Sequence, residues 1–185
     1  MKTKPVIEKT TILAKTALFT IEGLDLRFSN GEARCYERIR GEALGAVMIV
    51  PLLDEKTLLL VREYAAGVDA YVLGFPKGAM SAFETAEQTA ARELMEETGY
   101  GAKQWTDLGL ISTSPGYMSS RMHILLAQSL YPASLEGDEP EPIECVPWPL
   151  ADWEALLDHP EFHEARSIAA LLLLQRHGLR AHHHA

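Results

Sequence analysis

The sequence contains little cysteine and no long hydrophobic run, and each absence excludes a class of protein. Its two cysteines, Cys35 and Cys145, are too few and too far apart for a disulfide framework, so we expect a reducing, cytoplasmic environment. The longest apolar runs, residues 46–50 and 168–174, fall far short of the roughly 20 residues that a membrane-spanning helix needs. Residues 1–15 contain lysines but no apolar stretch long enough for a signal peptide.

Positive charge is also scarce. Lysine and arginine number 17 against 26 aspartates and glutamates, which gives a formal net charge of −9. This balance argues against a protein that binds nucleic acid by neutralising phosphates. It does not exclude a small phosphorylated substrate, because metal ions can lie between an acidic site and a polyphosphate. Much of the acidity is typical of a soluble surface.

The 185 residues, 47% of them hydrophobic, suffice for one globular core with a small extra element beside it. Residues 19–40 have the alternating pattern of an antiparallel hairpin, and Asn30-Gly31 predicts a two-residue turn with positive φ at both positions. This hairpin is too polar and too small to bury a core alone. We therefore expect it to dock on the rest of the chain or on a partner chain.

From residue 46 onward the pattern predicts alternating strands and helices. Residues 85–98 predict a helix in which Thr85 and Gln88 form a capping box and Gly99 ends the last turn. Two further helices are predicted at 151–157 and 162–177, and strands at 46–50, 58–61, 71–75, 108–112, 122–127 and 143–146. Mixed strands flanked by helices are typical of an α/β or α+β layered domain.

A spaced set of glycine, glutamate and arginine residues lies between positions 78 and 99. Its members are Gly78, Glu84, Arg92, Glu93, Glu96, Glu97 and Gly99. Each residue type occurs at about 5–8% in ordinary chains, so seven chance matches at fixed spacing are about one in a million. The pattern therefore indicates a motif.

The chemistry of this motif follows from Glu93, Glu96 and Glu97, which are spaced i, i+3, i+4 and share one arc of the helix. Like charges at this spacing cost about 0.2–0.5 kcal/mol per pair, and the helix dipole disfavours anions in the last turn. Arg92 can relieve Glu96, one turn away. The remaining cost makes little sense as stabilisation but suits a ligand set for a hard dication. The alternative is a solvated acidic helix face.

The segment from Gly78 to Tyr100 resembles a complete Nudix box. The resemblance implies an α/β fold, a Nudix α/β/α sandwich with an N-terminal antiparallel β-hairpin element. It also implies hydrolysis of nucleoside diphosphates linked to another group, with Mg²⁺ or Mn²⁺ as cofactor and more than one ion bound. Two such ions can activate a water and brace the departing phosphate. Tyr100 departs mildly from the family, which more often has an aliphatic residue there.

The same resemblance implies a role for each box residue. Glu93 and Glu97 become the main metal ligands, and Glu96 becomes a ligand or a catalytic carboxylate that orients water. Arg92 holds the glutamates in place, and Gly78 forms a turn at which the backbone approaches closely. Glu84 and Gly99 are structural positions of the motif.

Features outside the box are similar to the ADP-ribose pyrophosphatase branch of the family, and more closely to the bacterial ADP-compounds hydrolases. They are the residue 19–40 hairpin, Arg62-Glu63-Tyr64-Ala65, Ser114-Pro115-Gly116, Leu130-Tyr131-Pro132 and the acidic loop 136–141. This similarity implies that ADP-ribose, NADH and diadenosine polyphosphates are substrates and AMP a product. It also implies a homodimer formed by the N-terminal strands, with domains at 1–45 and 46–185. Gly74 and Lys77 depart from the branch, where many members have glutamate and alanine.

Several residues outside the box are candidates for the site. In related pyrophosphatases a mobile acidic loop supplies the base, which places Glu139 first and Glu141 second, although such loops are often merely solvated. Arg62 and Tyr64 could grip phosphate and stack on adenine, or could form a surface ion pair and a rim aromatic. Lys77 and Met118 complete the predicted substrate-binding set.

Two other functions remain open at this point. One is a Nudix hydrolase that cleaves nucleoside triphosphates, and the other is a non-catalytic Nudix domain that senses a nucleotide. The intact box glutamates count against a sensor. We interpret the histidines at 182–184 as a terminal tail rather than a metal site.

Overall fold

The computed structural model describes residues 2–41 and 45–183, with side chains as far as residue 178. Contacts divide the chain into two compact units. The first contains Met1–Gly45 and Ser112–Arg121, and the second contains Ala46–Ile111 and Met122–Ala185. Residues 112–121, which follow the box in sequence, thus belong to the N-terminal unit. The terminal histidine side chains lie outside the described residues, so our interpretation of them stays untested.

The first unit is a three-stranded antiparallel sheet with β2 in the centre. Its strands are β1 (Val6–Lys15), β2 (Thr20–Arg27) and β3 (Ala33–Arg40). The predicted N-terminal antiparallel element is confirmed, but β1 was missed. The register of β1 on β2 shifts at Ile7/Lys9 and again at Ile12/Ala14. Such bulges break the strict alternation by which a strand is identified from sequence.

The predicted two-residue turn between β2 and β3 is wrong. The Phe28 N–H donates to Glu32 O at 2.9 Å and the Gly31 N–H donates to Phe28 O at 2.9 Å, so three residues form the loop. Among the described residues, Asp69 and Ser129 are the non-glycine positions with positive φ, so Asn30 is not left-handed. Gly31, at φ +89°, alone supplies that conformation, as in a three-residue hairpin loop that closes with a glycine bulge.

The second unit is built on a mixed seven-stranded sheet. Its strands are β4 (Ala46–Asp54), β5 (Thr57–Ala65), β6 (Ala70–Gly74), β7 (Lys77–Ala79), β8 (Tyr100–Ser112), β9 (Arg121–Pro132) and β10 (Glu144–Pro149). The main path runs β10-β5-β4-β9-β8, while β6 pairs with β5 and β7 pairs with β4. β4 and β9 are parallel, with Ala46 opposite Met122. The three-residue β7 was not predicted, since it is too short to show a period.

Helices cover both faces of this sheet and produce the α/β/α layers that the sequence predicted. They are α1 (Ala86–Thr98), α2 (Trp153–Leu157) and α3 (Ala165–His183), with a 3₁₀ turn over Leu150–Asp152 before α2. Alternate residues of β4 face opposite layers. Val47 and Ile49 pack in the cluster that contains Leu94 of α1, whereas Met48 packs with Leu171 of α3. No helix in the described part of the chain is long and apolar enough to span a membrane.

Local capping sets the limits of α1, the helix that contains the three motif glutamates. The Thr85 hydroxyl accepts from the Gln88 N–H at 3.2 Å, and the Gln88 side chain accepts from the Thr85 N–H at 2.9 Å. At the other end Gly99 adopts φ +74° and its N–H donates to Met95 O at 3.2 Å. The predicted capping box and stop are confirmed.

Candidate active site

The motif begins where β7 passes directly over α1. A Cβ atom built on Gly78 would lie 1.9 Å from the carboxyl carbon of Glu93, a distance that no side chain could tolerate. Only glycine therefore allows the Glu93 carboxyl group to lie against the β7 backbone. The Glu93 side chain is mostly buried, and this burial raises its carboxyl pKa.

Arg92 lies at the centre of an ion-pair network along α1. Its guanidinium contacts Glu84 at 3.0 Å, Glu93 at 2.9 Å and Glu96 at 2.8 Å. The hydrogen bonds from Arg92 lower the Glu84 carboxyl pKa to about 2, and the Thr89 hydroxyl adds a further bond at 3.1 Å. Arg92 thus links Glu84, in the loop before α1, to Glu93 and Glu96 of the motif.

Glu97 is the most buried of the motif carboxylates, with 8% of its surface exposed. The Lys77 N–H, at the start of β7, lies 3.3 Å from one of its oxygens. Burial, with a smaller contribution from the neighbouring Glu63 and Glu93 carboxylates, raises the pKa of Glu97 to about 9 against the lowering effect of Lys77. The Lys77 ammonium group itself pairs with Glu63.

The carboxylates match a hard dication in chemistry and in charge. They supply the oxygen ligands that a hard dication prefers, and a bound cation would offset the burial and the neighbouring carboxylates that raise the pKa of Glu97. Among the described residues, however, no three histidine, cysteine, aspartate or glutamate side chains already surround a common point. Arg92 now holds Glu93 and Glu96. Each of these contacts uses one carboxylate oxygen, Oε1 of Glu93 and Oε2 of Glu96.

A cavity of about 600 Å³ brings the acidic loop next to the motif. Its lining includes Glu93, Glu96, Glu97 and the loop residues Asp138 and Glu139. The loop starts beside the end of α1, because the Ala133 N–H donates to Gly99 O at 2.9 Å. The structure therefore brings together three box glutamates and a loop carboxylate that lies more than 40 positions away in the sequence.

The two candidate bases of the loop differ in their contacts. Glu141 accepts a hydrogen bond of 2.5 Å from the Tyr71 hydroxyl on β6. Glu139 makes no side-chain hydrogen bond to any described residue, and it borders the cavity that the box glutamates line. Both candidates border cavities that the box glutamates line, but of the two Glu139 is the one without a side-chain hydrogen bond to a described residue.

Arg62 and Tyr64 lie on β5 beside a second cavity of about 420 Å³. Arg62 is held in two ion pairs, with Glu144 at 2.6 Å and with Glu161 at 2.9 Å, so its guanidinium serves a structural contact. Tyr64 is half exposed and packs edge-on against Tyr71, with ring centroids 5.9 Å apart. Its exposed surface is available for stacking.

Met118 belongs to the first unit, where it bridges to Ile39, and its predicted substrate contact stays a prediction. No role was predicted for Glu63 or Tyr71, which the structure places beside Lys77 and Glu141. These contacts join residues 14 and 70 positions apart in the sequence. One sequence signal for Glu63 is its position as an acidic residue directly after the apolar run 58–61 and Arg62.

Comparisons with known proteins cover nearly the whole chain. A NUDIX domain model matches residues 43–182, and a model described as the NudE-type Nudix hydrolase N-terminal domain matches residues 5–38. The chain is 51% identical over 172 residues to ADP compounds hydrolase NudE of Escherichia coli (strain K12), which covers 93% of this chain and 92% of that protein.

Two further likenesses agree with these matches. The chain is 32% identical to ADP-ribose pyrophosphatase of Bacillus subtilis (strain 168), over 93% of this chain and 95% of that protein. A crystal structure of ADP compounds hydrolase superposes on this chain with a TM-score of 0.91 at 49% sequence identity. The superposition covers 98% of this chain and 97% of the chain in that crystal structure.

Proposed function

Since the chain belongs to the Nudix hydrolase family and is a nucleotide pyrophosphatase, we propose that it hydrolyses the pyrophosphate linkage of ADP-linked compounds and releases AMP. The substrate candidates are ADP-ribose, NADH and diadenosine polyphosphates. The extent of the likeness to an ADP compounds hydrolase, across both matched regions of the chain, supports this choice over a nucleoside triphosphate substrate.

Glu93, Glu96 and Glu97 are the residues proposed to hold Mg²⁺ or Mn²⁺, with more than one ion in the working site. When bound, these cations would neutralise the substrate phosphates and lower the pKa of water. The burial of Glu97 and the close approach of Glu93 to Gly78 support this assignment, because both keep carboxylate oxygens at one end of the cavity.

The chain's own residues have separate tasks in the proposed reaction. The Glu139 carboxylate accepts a proton from the attacking water. It borders the cavity and makes no side-chain hydrogen bond to a described residue. Arg92 keeps Glu93 and Glu96 on the same side of α1. Glu96 either joins the ligand set or orients the water. Tyr64 stacks on the adenine ring.

The observation that carries this proposal is the convergence of Glu93, Glu96, Glu97 and Glu139 on a single cavity of about 600 Å³. The test is product analysis after incubation of the enzyme and Mg²⁺ with ADP-ribose, NADH and diadenosine triphosphate. AMP should appear from at least one of them, and Glu97→Gln should abolish its release. Cleavage of nucleoside triphosphates alone would contradict the proposal.

We also propose that the protein is a homodimer formed through its N-terminal sheet. Several large apolar side chains of the first unit are exposed in the single chain. They are Val6, Ile7, Ile12, Leu13, Leu18, Phe19 and Tyr36. Exposed apolar side chains in this number on so small a unit are typical of surface that a partner covers.

A further inference from the structure

The hairpin formed by β5 and β6 presents different side chains on its two faces. Antiparallel pairing places Glu63 opposite Val72 and Tyr64 opposite Tyr71. Successive residues of a strand point to opposite faces, so the two tyrosines share one face and Glu63 and Val72 share the other. The tyrosine face lines the 420 Å³ cavity already described.

The opposite face lines another cavity, of about 430 Å³, which we name the Arg166 cavity. Val68, Val72 and Ala65 supply its apolar wall, and Lys77, Glu139 and Arg166 supply polar groups. Glu63, Tyr64 and Glu139 border both cavities. Two spaces of nearly equal size therefore adjoin the hairpin, and each is large enough for a small-molecule group.

Gly74 and Lys77 both line the Arg166 cavity. A Cβ on Gly74 would lie 2.9 Å from the Ser167 hydroxyl, so a larger residue would collide with the first turn of α3. Lys77 also lines the 600 Å³ cavity, where its N–H lies 3.3 Å from a Glu97 oxygen, so this residue connects the Arg166 cavity with the motif.

Arg166 has unused hydrogen-bonding capacity. Its Nε donates to Glu164 at 2.6 Å, and its other donors bond to no described residue. A guanidinium carries five N–H donors in a planar fork. The side chain is about one-third exposed at the cavity, so the remaining donors are accessible to a ligand.

We infer that the Arg166 cavity binds a second nucleoside, the group joined through phosphate to the AMP moiety, and that Val68, Val72 and Arg166 determine the enzyme's preference for that group. This inference rests on the proposed function. The apolar wall suits the flat face of a base, and the remaining donors of Arg166 suit the acceptor atoms of the base or the hydroxyl oxygens of its ribose. Another phosphate would suit it less, because Glu63, Glu139 and Glu164 surround the same space.

The test compares kcat/KM for diadenosine triphosphate with kcat/KM for ADP-ribose, whose second group is smaller. Val68, exposed at the turn of the hairpin, is replaced in Val68→Trp so that the indole fills the outer part of the cavity. We expect the ratio to fall at least about tenfold through a higher KM for diadenosine triphosphate, with kcat little changed, as for a loss of uniform binding. Arg166→Gln should shift the ratio in the same direction.

Leu172→Trp is the matched control, because Leu172 is an exposed apolar residue of α3 that does not line the cavity. It should leave the ratio unchanged. If Val68→Trp fails to fold, Arg166→Gln decides the matter. An unchanged ratio in an enzyme that releases AMP from both substrates would overturn this inference alone. Failure of the unmodified enzyme to release AMP from either would overturn the proposed function and this inference with it.

Discussion

At the scale of single residues, Glu97 is a carboxyl group whose burial disfavours its charged form. A carboxyl group that is nearly enclosed, beside Glu63 and Glu93, is stabilised in its neutral form, which raises its pKa to about 9. Such a group contributes poorly to folding when charged. Its presence is explained by the cation that we propose it binds.

Replacing Glu97 by glutamine should therefore separate activity from stability. The neutral amide has the same shape and avoids the buried charge, so the metal-free variant should unfold at or above the temperature of the unmodified protein. Activity with Mg²⁺ should fall by more than the roughly 10–100-fold that loss of an outer partner of a metal ligand costs. Steady-state kinetics and thermal unfolding in a chelator measure the two effects. Near-normal turnover would exclude Glu97 as a ligand.

The loop carboxylates offer a second test at this scale. Glu139→Gln should lower kcat by roughly 10²–10⁴-fold, which is the usual contribution of a general base. Metal affinity should hardly change, because Glu139 is not a proposed ligand. Glu141→Gln should do less, since its carboxylate is bound to Tyr71.

The two loop variants also control for each other, because both remove one charge from the same loop. If Glu141→Gln were the damaging change, the proposed base would be misplaced by two residues. If neither variant lost more than a few-fold in kcat, the loop would be only a solvated turn. Glu96 would then be the first candidate for the base.

At the scale of elements, α1 is held to the segment before it by the Glu84–Arg92 ion pair. Hydrogen bonds from Arg92 lower the Glu84 pKa from 4.5 to about 2. A carboxyl group with a lowered pKa stabilises the folded state fully above its unfolded value, and this stabilisation disappears as the pH falls through the folded value. The contribution of Glu84 should therefore be present above about pH 4.5 and lost towards pH 2.

Glu84→Gln should lower the unfolding temperature at pH 7 and lower it progressively less as the pH approaches 2. Thermal unfolding followed by circular dichroism between pH 7 and pH 2 measures this difference. Glu87→Gln is the control, since Glu87 is an exposed glutamate in the first turn of the same helix. A pH-independent difference between Glu84→Gln and the unmodified protein would contradict the assigned role of the ion pair.

At the scale of the whole molecule, the first unit exposes large apolar side chains. Leu18 is 77% exposed and Ile12 58%. Monomeric proteins rarely expose large contiguous apolar patches. The proposed homodimer would cover them.

Sedimentation at micromolar concentration should give a dimer for the unmodified protein. Ile12→Glu places a charge among the exposed apolar residues of β1 and should shift the protein towards monomer. Leu110→Glu makes the same change at an exposed position in the second unit and should leave the dimer intact. A clean monomer of the unmodified protein would exclude the proposed assembly.

Features that depend on residues close together in the chain could be predicted from the sequence. The capping box of Thr85 and Gln88, the stop at Gly99 and the shared arc of Glu93, Glu96 and Glu97 were predictable because helical contacts link residues three or four positions apart. The mixture of strands and helices predicted an α/β or α+β layered domain, and the resemblance to the Nudix family implied the α/β/α arrangement.

Which distant side chains come into contact depends on the tertiary fold. Tyr71 and Glu141 are 70 positions apart, and Arg62 and Glu161 are 99 apart. Their contacts depend on how strands pair and where loops return. The bulges of β1 and the three-residue β7 escaped prediction because neither shows a regular period. Sequence spacing describes the order within one element, whereas long-range contacts depend on register, which side-chain packing across the whole sheet selects.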